Sequence, residues 1–445
     1  MNITVIGTGY VGLVSGVCFA ELGFNVICVD NNVSKILELQ QGNVPICEPG
    51  LDRLMLKNFQ AKRLTFTTDI KTSVKNADIV FIAVGTPSKP DGSANLSYVY
   101  QSIDEIAFSI NRDAVLVIKS TVPVGTTRSI KKFLFDKGID MDVAFNPEFL
   151  REGVALEDFM HPDRVILGIE SKKAKKILSQ VYRPLYTFNI PIMFTNLEVA
   201  ELSKYASNAF LAMKITFINE IANLCELCGA DVNDVATAMG LDKRIGDQFL
   251  QAGPGYGGSC FPKDTSALAD FAGKFGVNLT LVKETIKSND NRRLLMVEKI
   301  LAACNNDVKG KNIAILGVTF KANTDDMRDS PSIYIINDLL KRGANIKIYD
   351  PSFSHQAKQI FPDIEFSNNA YDNCNGADAV IILTDWSEFR ALSLDELSRR
   401  VKNPLLIDLR NIYSLSEVNA SGFSYYSVGR TFKKLNPIEE KLPHE

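Results

Sequence analysis

The run Met1-Asn2-Ile3-Thr4-Val5-Ile6 is apolar and β-branched, and it halts at Gly7-Thr8-Gly9-Tyr10-Val11-Gly12. This predicts a buried strand entering a tight turn. Residues 13–22 then carry a helical pattern that Gly23 stops, and Asn25-Val26-Ile27-Cys28-Val29-Asp30 predicts a second buried strand ending on an acid. Apolar runs at 79–84 and 114–118 enter Gly85-Thr86-Pro87 and Ser120-Thr121-Val122-Pro123-Val124-Gly125, and a strand Val143-Ala144-Phe145 enters Asn146-Pro147-Glu148-Phe149-Leu150-Arg151-Glu152-Gly153. Continuous rather than alternating apolar runs mark parallel strands buried on both faces, whose ligands lie beyond their carboxyl ends. The period changes over 196–228, where Leu202, Tyr205, Ala209, Met213, Phe217, Ile221 and Leu224 recur at threes and fours before Gly229. A helix of that span, roughly 50 Å at 1.5 Å per residue, is long enough to join two domains and to supply a dimer seam.

A second α/β unit begins at Lys311-Asn312-Ile313-Ala314-Ile315-Leu316-Gly317, with a helix from about Ser330 and strands at 346–350, 379–383 and 405–408. The pattern predicts an α/β protein: two Rossmann-like doubly wound domains joined by a central helical region with one long helix. The expected divisions are an N-terminal domain at 1–195, the central region at 196–305 and a C-terminal domain at 306–445.

Strand, G-x-G-x-x-G, helix, strand and acid together form a dinucleotide-binding signature, which the bare glycine spacing alone would not. The glycines of Gly7, Gly9 and Gly12 let backbone approach a pyrophosphate at a helix N-terminus, and Asp30 is placed to accept from a ribose diol. Its charge would repel a 2′-phosphate, which favours NAD over NADP. The first turn of the second unit, Gly317-Val318-Thr319-Phe320-Lys321, lacks the later glycines and offers a cation, Lys321, as a nucleotide lobe of different specificity would.

Composition narrows the field without changing it. With 445 residues, 46% hydrophobic and 23% charged, the chain has room for two or three domains. A net charge of -3 gathers neither nucleic acid nor anionic membrane. Residues 1–20 carry no charged side chain, but they lack a basic n-region and are broken by Gly7, Gly9, Gly12 and Gly16, so strand, turn and helix fit better than a signal or span. A cytoplasmic protein with reduced thiols is expected. The eight cysteines are scattered; Cys225 and Cys228 form a C-x-x-C inside a helical pattern with no second pair at metal spacing, so no metal site is expected. Histidine is confined to His161, His355 and His444, which leaves a histidine-centred mechanism poorly supplied.

Three groups could carry chemistry. Asn146-Pro147-Glu148 reads as a helix start, with Glu152 four residues on, so that two like charges would share a face and raise one carboxyl towards the range of a general base; plain capping explains the same residues. Lys204 and Asn208, one turn apart on an apolar helix, set an ammonium beside an amide that together could hold an oxyanion, unless the lysine is simply solvated. Cys260 lies in Gly253-Pro254-Gly255-Tyr256-Gly257-Gly258-Ser259-Cys260-Phe261-Pro262-Lys263-Asp264. A core cysteine belongs on a regular apolar face, and this one does not. The glycines allow close approach of a ligand, and Lys263 with a following helix would favour thiolate. A thiol and a nicotinamide site in one chain suggest that hydride transfer makes an aldehyde, that the thiolate captures it, and that a second transfer gives a thioester for hydrolysis.

The motifs GTGYVG at 7–12, STVPVGTT at 120–127, NPEFLREG at 146–153, GPGYGGSCFPKD at 253–264 and FKANTDDMRDSP at 320–331 occur in order through nearly the whole chain. In this the sequence resembles the UDP-glucose/GDP-mannose dehydrogenase family. The resemblance implies a three-part architecture and oxidation of a sugar 6-hydroxymethyl group to a carboxylate with two NAD, in a homodimer. It implies Cys260 as nucleophile, Lys204 and Asn208 as oxyanion donors, Asp264 and Thr121 as holders of the catalytic water and Glu148 as base. At the cofactor it puts Gly7, Gly9, Tyr10, Val11, Gly12, Asp30, Lys35, Thr86, Thr121, Glu152, Lys263 and Arg328. At the sugar nucleotide it puts Glu148, Phe149, Leu150, Arg151, Glu152, Lys204, Asn208, Phe249, Gly257, Lys321 and Arg410, with Arg244 reaching a neighbouring subunit. The Gly-Ser-Cys-Phe-Pro-Lys-Asp form of the loop resembles the branch acting on UDP-glucose, with GDP-mannose as the alternative; Gln251 and Tyr256 fall where the family varies. Two rivals are a two-electron hydroxyacid dehydrogenase with a structural Cys260, and a nucleotide-sensing protein on a catalytically dead fold.

Overall fold

A computed structural model describes residues 1–431; His444 lies outside the described residues. The chain divides into two compact units, one of Met1–Ala209 with Lys263–Leu279, the other of Phe210–Pro262 with residues from 280 onward.

The first unit holds strands β1 (Asn2–Ile6), β2 (Asn25–Val29), β3 (Leu64–Thr67), β4 (Ile79–Ile82), β5 (Val115–Ile118), β6 (Asp142–Phe145), β7 (Val165–Gly168) and β8 (Ile192–Thr195). They form one sheet in the order β3-β2-β1-β4-β5-β6-β7-β8. Pairing is parallel from β3 to β6, reverses between β6 and β7, and is parallel again at β8. Successive residues of β4 explain the apolar runs: Ile79 and Phe81 join one core cluster, Val80 and Ile82 the cluster on the other face. Helices cover both sides, so neither face has a polar row to show. Phe19, from the helix Tyr10–Glu21, stacks on Phe81 with ring centroids 5.0 Å apart.

The second unit repeats the plan with β9 (Asn312–Leu316), β10 (Asn345–Tyr349), β11 (Glu365–Phe366), β12 (Ala379–Ile382), β13 (Leu405–Asp408) and β14 (Ser424–Ser427), all parallel in the order β11-β10-β9-β12-β13-β14. The likeness reaches single hydrogen bonds. Asn2 N–H donates to Asp78 Oδ2 at 2.7 Å, and Asn312 N–H to Asp378 Oδ2 at 2.9 Å. Thr8 N–H donates to Asp30 Oδ2 at 2.8 Å, and Val318 N–H to Asp350 Oδ2 at 2.7 Å. Two Rossmann-like domains are therefore present.

Between them in sequence runs the helix Leu197–Cys228, 32 residues long, followed by helices Val232–Gly240, Phe261–Lys274 and Thr280–Ala303. Cys225 is buried and Cys228 exposed on the long helix, and no metal-ligating cluster occurs among the described residues. No helix among them is long and apolar enough to cross a membrane.

Lys119 directly follows β5 and is buried, its Nζ donating to Asn146 Oδ1 at 3.1 Å. Burial pulls its pKa down to about 8, with Glu148 opposing and Lys204 adding to the fall. The folded chain thus binds fewer protons at this site than the unfolded chain does between pH 8 and roughly 10.4, and stability contributed through Lys119 rises with pH across that window. Urea unfolding at pH 8 and pH 10 should show the wild type gaining on the order of 1–3 kcal/mol relative to Lys119→Met. Equal pH slopes for the two proteins would refute this account.

Two glycines of the first turn differ in what they answer to. A Cβ at Gly12 would lie 1.9 Å from the Gly7 carbonyl oxygen, whereas one at Gly9 meets nothing within 4 Å. Gly12→Ala should lower stability by more than about 2 kcal/mol, because backbone must move, while Gly9→Ala stays within about 1 kcal/mol of wild type. Thermal melting of the two variants side by side checks this, and matching losses would contradict it.

Candidate active site

In the first unit the dinucleotide turn is built around one carboxylate. Gly7 has φ +97°, and its N–H donates to the Val29 carbonyl at 2.7 Å. Thr8 gives both its N–H and its hydroxyl to Asp30 Oδ2 at 2.8 Å, Asn32 N–H donates to Oδ1 at 3.0 Å, and Lys35 Nζ stands 3.7 Å away. Burial alone would push the Asp30 carboxyl up, but these donors and the lysine charge outweigh it and hold the group below its usual range. The helix Tyr10–Glu21 starts behind Gly9, and the open space over Gly9 is what an incoming pyrophosphate requires at a helix N-terminus. The residues fit a dinucleotide. Val11 is half-buried in that helix. Tyr10 turns its hydroxyl onto the carboxylate of Glu48 and accepts from Gly153 N–H at 2.7 Å.

Beyond β4 and β5, Thr86 donates its hydroxyl to the Thr121 carbonyl at 2.9 Å, joining the two loops that were expected at the cofactor. The Thr121 loop is pinned by Glu201, whose carboxylate is fully buried and accepts from Gly125 N–H at 2.6 Å, Thr127 N–H at 2.8 Å and Thr127 hydroxyl at 2.7 Å.

After β6 the structure corrects the sequence. No helix starts at Asn146; residues 147–151 are irregular, and the helix begins only at Ala155–Met160. Glu148 and Glu152 therefore do not share a helical face, and the like-charge pairing expected of them along a helix is absent. The reason is that Asn146 is buried as a bridge rather than a cap: Oδ1 accepts from Lys119 and from the Tyr182 hydroxyl, and Nδ2 donates to the Ile166 carbonyl at 3.1 Å. The later helix takes its cap from far away, with Glu48 accepting from Ala155 N–H and Gly153 N–H, each at 2.7 Å.

Glu148 is buried, accepts from Leu150 N–H at 2.7 Å, and forms an ion pair with Lys204 at 3.2 Å. Lys204 is 3% exposed, so it is no solvated stripe, and its ammonium also stands 5.2 Å from the Phe149 ring centroid. Arg164 covers the same ring at 3.7 Å. One turn along the helix, Asn208 Nδ2 donates to Asp264 Oδ2 at 2.6 Å, and Lys263 Nζ reaches Asp264 Oδ1 at 2.5 Å. Two ion-paired carboxylates, a buried ammonium and an amide thus line one stretch of the first unit, a set able to hold an oxyanion and orient a water. Arg151 grips Asp158 at 2.6 Å, and Glu152 lies half-buried in the turn that follows.

In the second unit, Cys260 stands half-buried immediately before the helix Phe261–Lys274, with Ser259 Oγ 3.5 Å from its sulfur. Asp264 lies on the first turn of that helix. The glycines before Cys260 are filled by the protein itself. A Cβ at Gly257 would lie 2.3 Å from the Asp329 carbonyl oxygen, and one at Gly258 2.7 Å from the Phe320 ring. Gly258 N–H donates to the Arg328 carbonyl at 2.8 Å, and the Arg328 guanidinium is exposed beside Asp326 at 2.7 Å. Lys321 Nζ sits 5.4 Å from the Phe320 ring centroid, and Arg410 donates to the Phe320 and Leu383 carbonyls, each at 2.7 Å, so these two cations meet at one residue. Phe249, at φ +64°, places its ring 6.0 Å from that of Phe261. Arg244 is 89% exposed and chelated by Asp242 at 2.6 Å.

Lys119, Glu48 and Glu201 were missed from the sequence, and Asn146 was read there only as a helix cap. A lysine ending an apolar run and an acid on an apolar helical stripe were the available signals.

Three sequence models of the UDP-glucose/GDP-mannose dehydrogenase family match in order: the NAD binding domain over residues 1–186, the central domain over 198–291 and the UDP binding domain over 314–415. A UDP-glucose 6-dehydrogenase of Rhizobium meliloti (strain 1021) is 52% identical over 435 residues, which is 97% of this chain and 100% of that protein. One of Rickettsia bellii (strain RML369-C) is 48% identical over 96% of this chain and 99% of its own. A solved UDP-glucose dehydrogenase from Pyrobaculum islandicum superposes with TM-score 0.89 at 35% identity, covering 97% of this chain and 98% of that one. The dinucleotide turn, the buried donor pairs and the cysteine loop fall inside those matched segments, and the chain belongs to the UDP-glucose/GDP-mannose dehydrogenase family.

Proposed function

We propose that this chain is an NAD-dependent UDP-glucose 6-dehydrogenase that oxidises the C6 hydroxymethyl group to a carboxylate, removing four electrons per sugar. The observation that carries the reading is the pair of buried contacts one helical turn apart, Lys204 with Glu148 and Asn208 with Asp264. Burying two carboxylates, an ammonium and an amide along one stretch is costly, and a site that must hold an oxyanion and a water accounts for that cost.

Bound NAD supplies the hydride acceptor. Asp30 would take the adenosine ribose hydroxyls, the N-terminus of helix Tyr10–Glu21 the pyrophosphate, and the loops bearing Thr86 and Thr121 the far end, with Lys35, Glu152, Lys263 and Arg328 beside it. Arg410, Lys321, Phe249, Gly257 and residues 148–152 would take the sugar nucleotide. Loss of one hydride and one proton turns the alcohol into an aldehyde. The Cys260 thiolate then adds to the aldehyde carbon, forming a carbon–sulfur bond and a hemithioacetal oxyanion that the Lys204 ammonium and Asn208 amide stabilise. A second hydride loss leaves a thioester. Water held by Asp264 and Thr121 attacks the thioester carbonyl as Glu148 takes one of its protons; the carbon–sulfur bond breaks, Cys260 returns as thiolate, and the acid formed gives its remaining proton to solvent to become the carboxylate. Electrons balance at two hydrides per sugar.

The proposed assembly is a homodimer in the cytoplasm. Phe210, Phe217 and Leu224, seven residues apart on the long helix, are 58%, 47% and 59% exposed, a heptad stripe suited to a second copy. Arg244, exposed with its guanidinium on Asp242, would reach the partner's site by exchanging that contact. Buried reduced thiols at Cys18, Cys28 and Cys374 suit a reducing compartment.

Purified chain supplied with UDP-glucose should yield two NADH for each sugar consumed, with higher kcat/KM than on GDP-mannose, and Cys260→Ala should lose acid formation by on the order of 1,000-fold. One NADH per sugar would overturn the four-electron scheme, and preference for GDP-mannose would move the chain to the other branch. For the assembly, Phe217→Glu should convert a sedimenting dimer into monomer; a wild type already monomeric at micromolar concentration would remove the dimer.

A further inference from the structure

The backbone leading to Cys260 is held by three polar side chains to which no role has yet been given. Gly253 N–H donates to Asn219 Oδ1 at 2.8 Å, and Arg292 Nε donates to the Gly253 carbonyl at 2.9 Å. Three residues on, Tyr256 N–H donates to Asn289 Oδ1 at 2.8 Å while Asn289 Nδ2 donates back to the Tyr256 carbonyl at 3.2 Å, a reciprocal pair. Arg292 also gives Nη1 to Asn223 Oδ1 at 2.5 Å and to the Asn219 carbonyl at 3.3 Å, so one guanidinium on the helix Thr280–Ala303 ties the long helix to the loop. Asn219, Asn289 and Arg292 are all buried. Burial pulls the guanidinium down to about 10, opposed by Glu226, which leaves it charged at neutral pH.

Residues 253–258 include four glycines, and a segment with so few side chains cannot fix its conformation by its own packing. Every bond from Asn289 and from Arg292 Nε goes to loop backbone, which makes the clamp independent of loop side chains. Gly255 is part of the fit: at φ +109°, a Cβ there would lie 2.7 Å from Asn289 Oδ1. The far end of the loop is fixed separately by the Arg328 carbonyl and the Asp329 backbone. Burying an arginine and two asparagines is a costly way merely to fill space. We propose that Asn219, Asn289 and Arg292 are positioning residues for Cys260, fixing the backbone of Gly253 and Tyr256 and so setting where the thiol stands at the head of the helix Phe261–Lys274. This rests on the reading of Cys260 as the nucleophile.

The test uses the full chain. In the wild type, amide hydrogen exchange at Gly253 and Tyr256 should be as slow as in the helix Thr280–Ala303; exchange at the rate of an exposed loop overturns the proposal whether or not any variant folds. Asn289→Ala should lower kcat on UDP-glucose by on the order of 100-fold, as displacement of a reacting group does, with KM for NAD changed by less than about twofold. The pH midpoint for alkylation of Cys260 by iodoacetamide should shift in the same variant. Asn289→Ser, whose hydroxyl can both accept from and donate to Tyr256, should recover part of the rate. A folded Asn289→Ala with kcat and alkylation profile unchanged rejects the clamp. A wild type that never oxidises UDP-glucose, yet shows the protected amides and the shifted alkylation, rejects the assigned activity and leaves the clamp standing.

Discussion

A parallel sheet covered on both faces leaves one place for polar chemistry, the carboxyl ends of its strands, and this constraint organises the chain. Asp30 follows β2, Lys119 and Thr121 follow β5, and Asn146 and Glu148 follow β6. A polar group that leaves the apolar layer and stays buried must find a partner at once. Asp30 finds amide donors, Lys119 finds Asn146, and Glu148 finds Lys204 from the long helix. The site residues are thus the solutions to a burial problem before they are anything chemical.

The two sheets solve it alike and then diverge. Asp30 and Asp350 occupy matching places and take matching donors from the turn after the first strand of each sheet. Gly9 and Gly12 in the first turn have no glycine counterparts in Val318-Thr319-Phe320-Lys321, where a ring and an ammonium stand instead. The same scaffold accordingly presents bare backbone in one half and side chains in the other, which is the difference between a site for a pyrophosphate and a site built from cations.

Much of this was legible because period and punctuation are local. The runs at 79–84, 114–118 and 311–317 contain the strands Ile79–Ile82, Val115–Ile118 and Asn312–Leu316, and the long helix over 196–228 forms as Leu197–Cys228. The helix expected at Asn146 does not form, because a buried bridge between Lys119, Tyr182 and Ile166 outbids the local capping signal. Its replacement cap, Glu48, lies more than a hundred residues away, and Glu201 reaches back over seventy to the Thr121 loop. No window of sequence displays such partners. The glycines before Cys260 also let Asp329 and Phe320 pack against the loop, partners that lie more than sixty residues along the chain.

Asp30 carries one further consequence. The carboxylate that would discriminate against a 2′-phosphate is the same group that gathers the N–H of Thr8 and of Asn32 and the hydroxyl of Thr8. Removing its charge to admit a phosphorylated cofactor would release the donors that shape the turn around the pyrophosphate. Cofactor choice and turn geometry therefore hang on one group, and admitting a phosphorylated cofactor demands a coordinated rebuilding of the turn rather than a single exchange at its end.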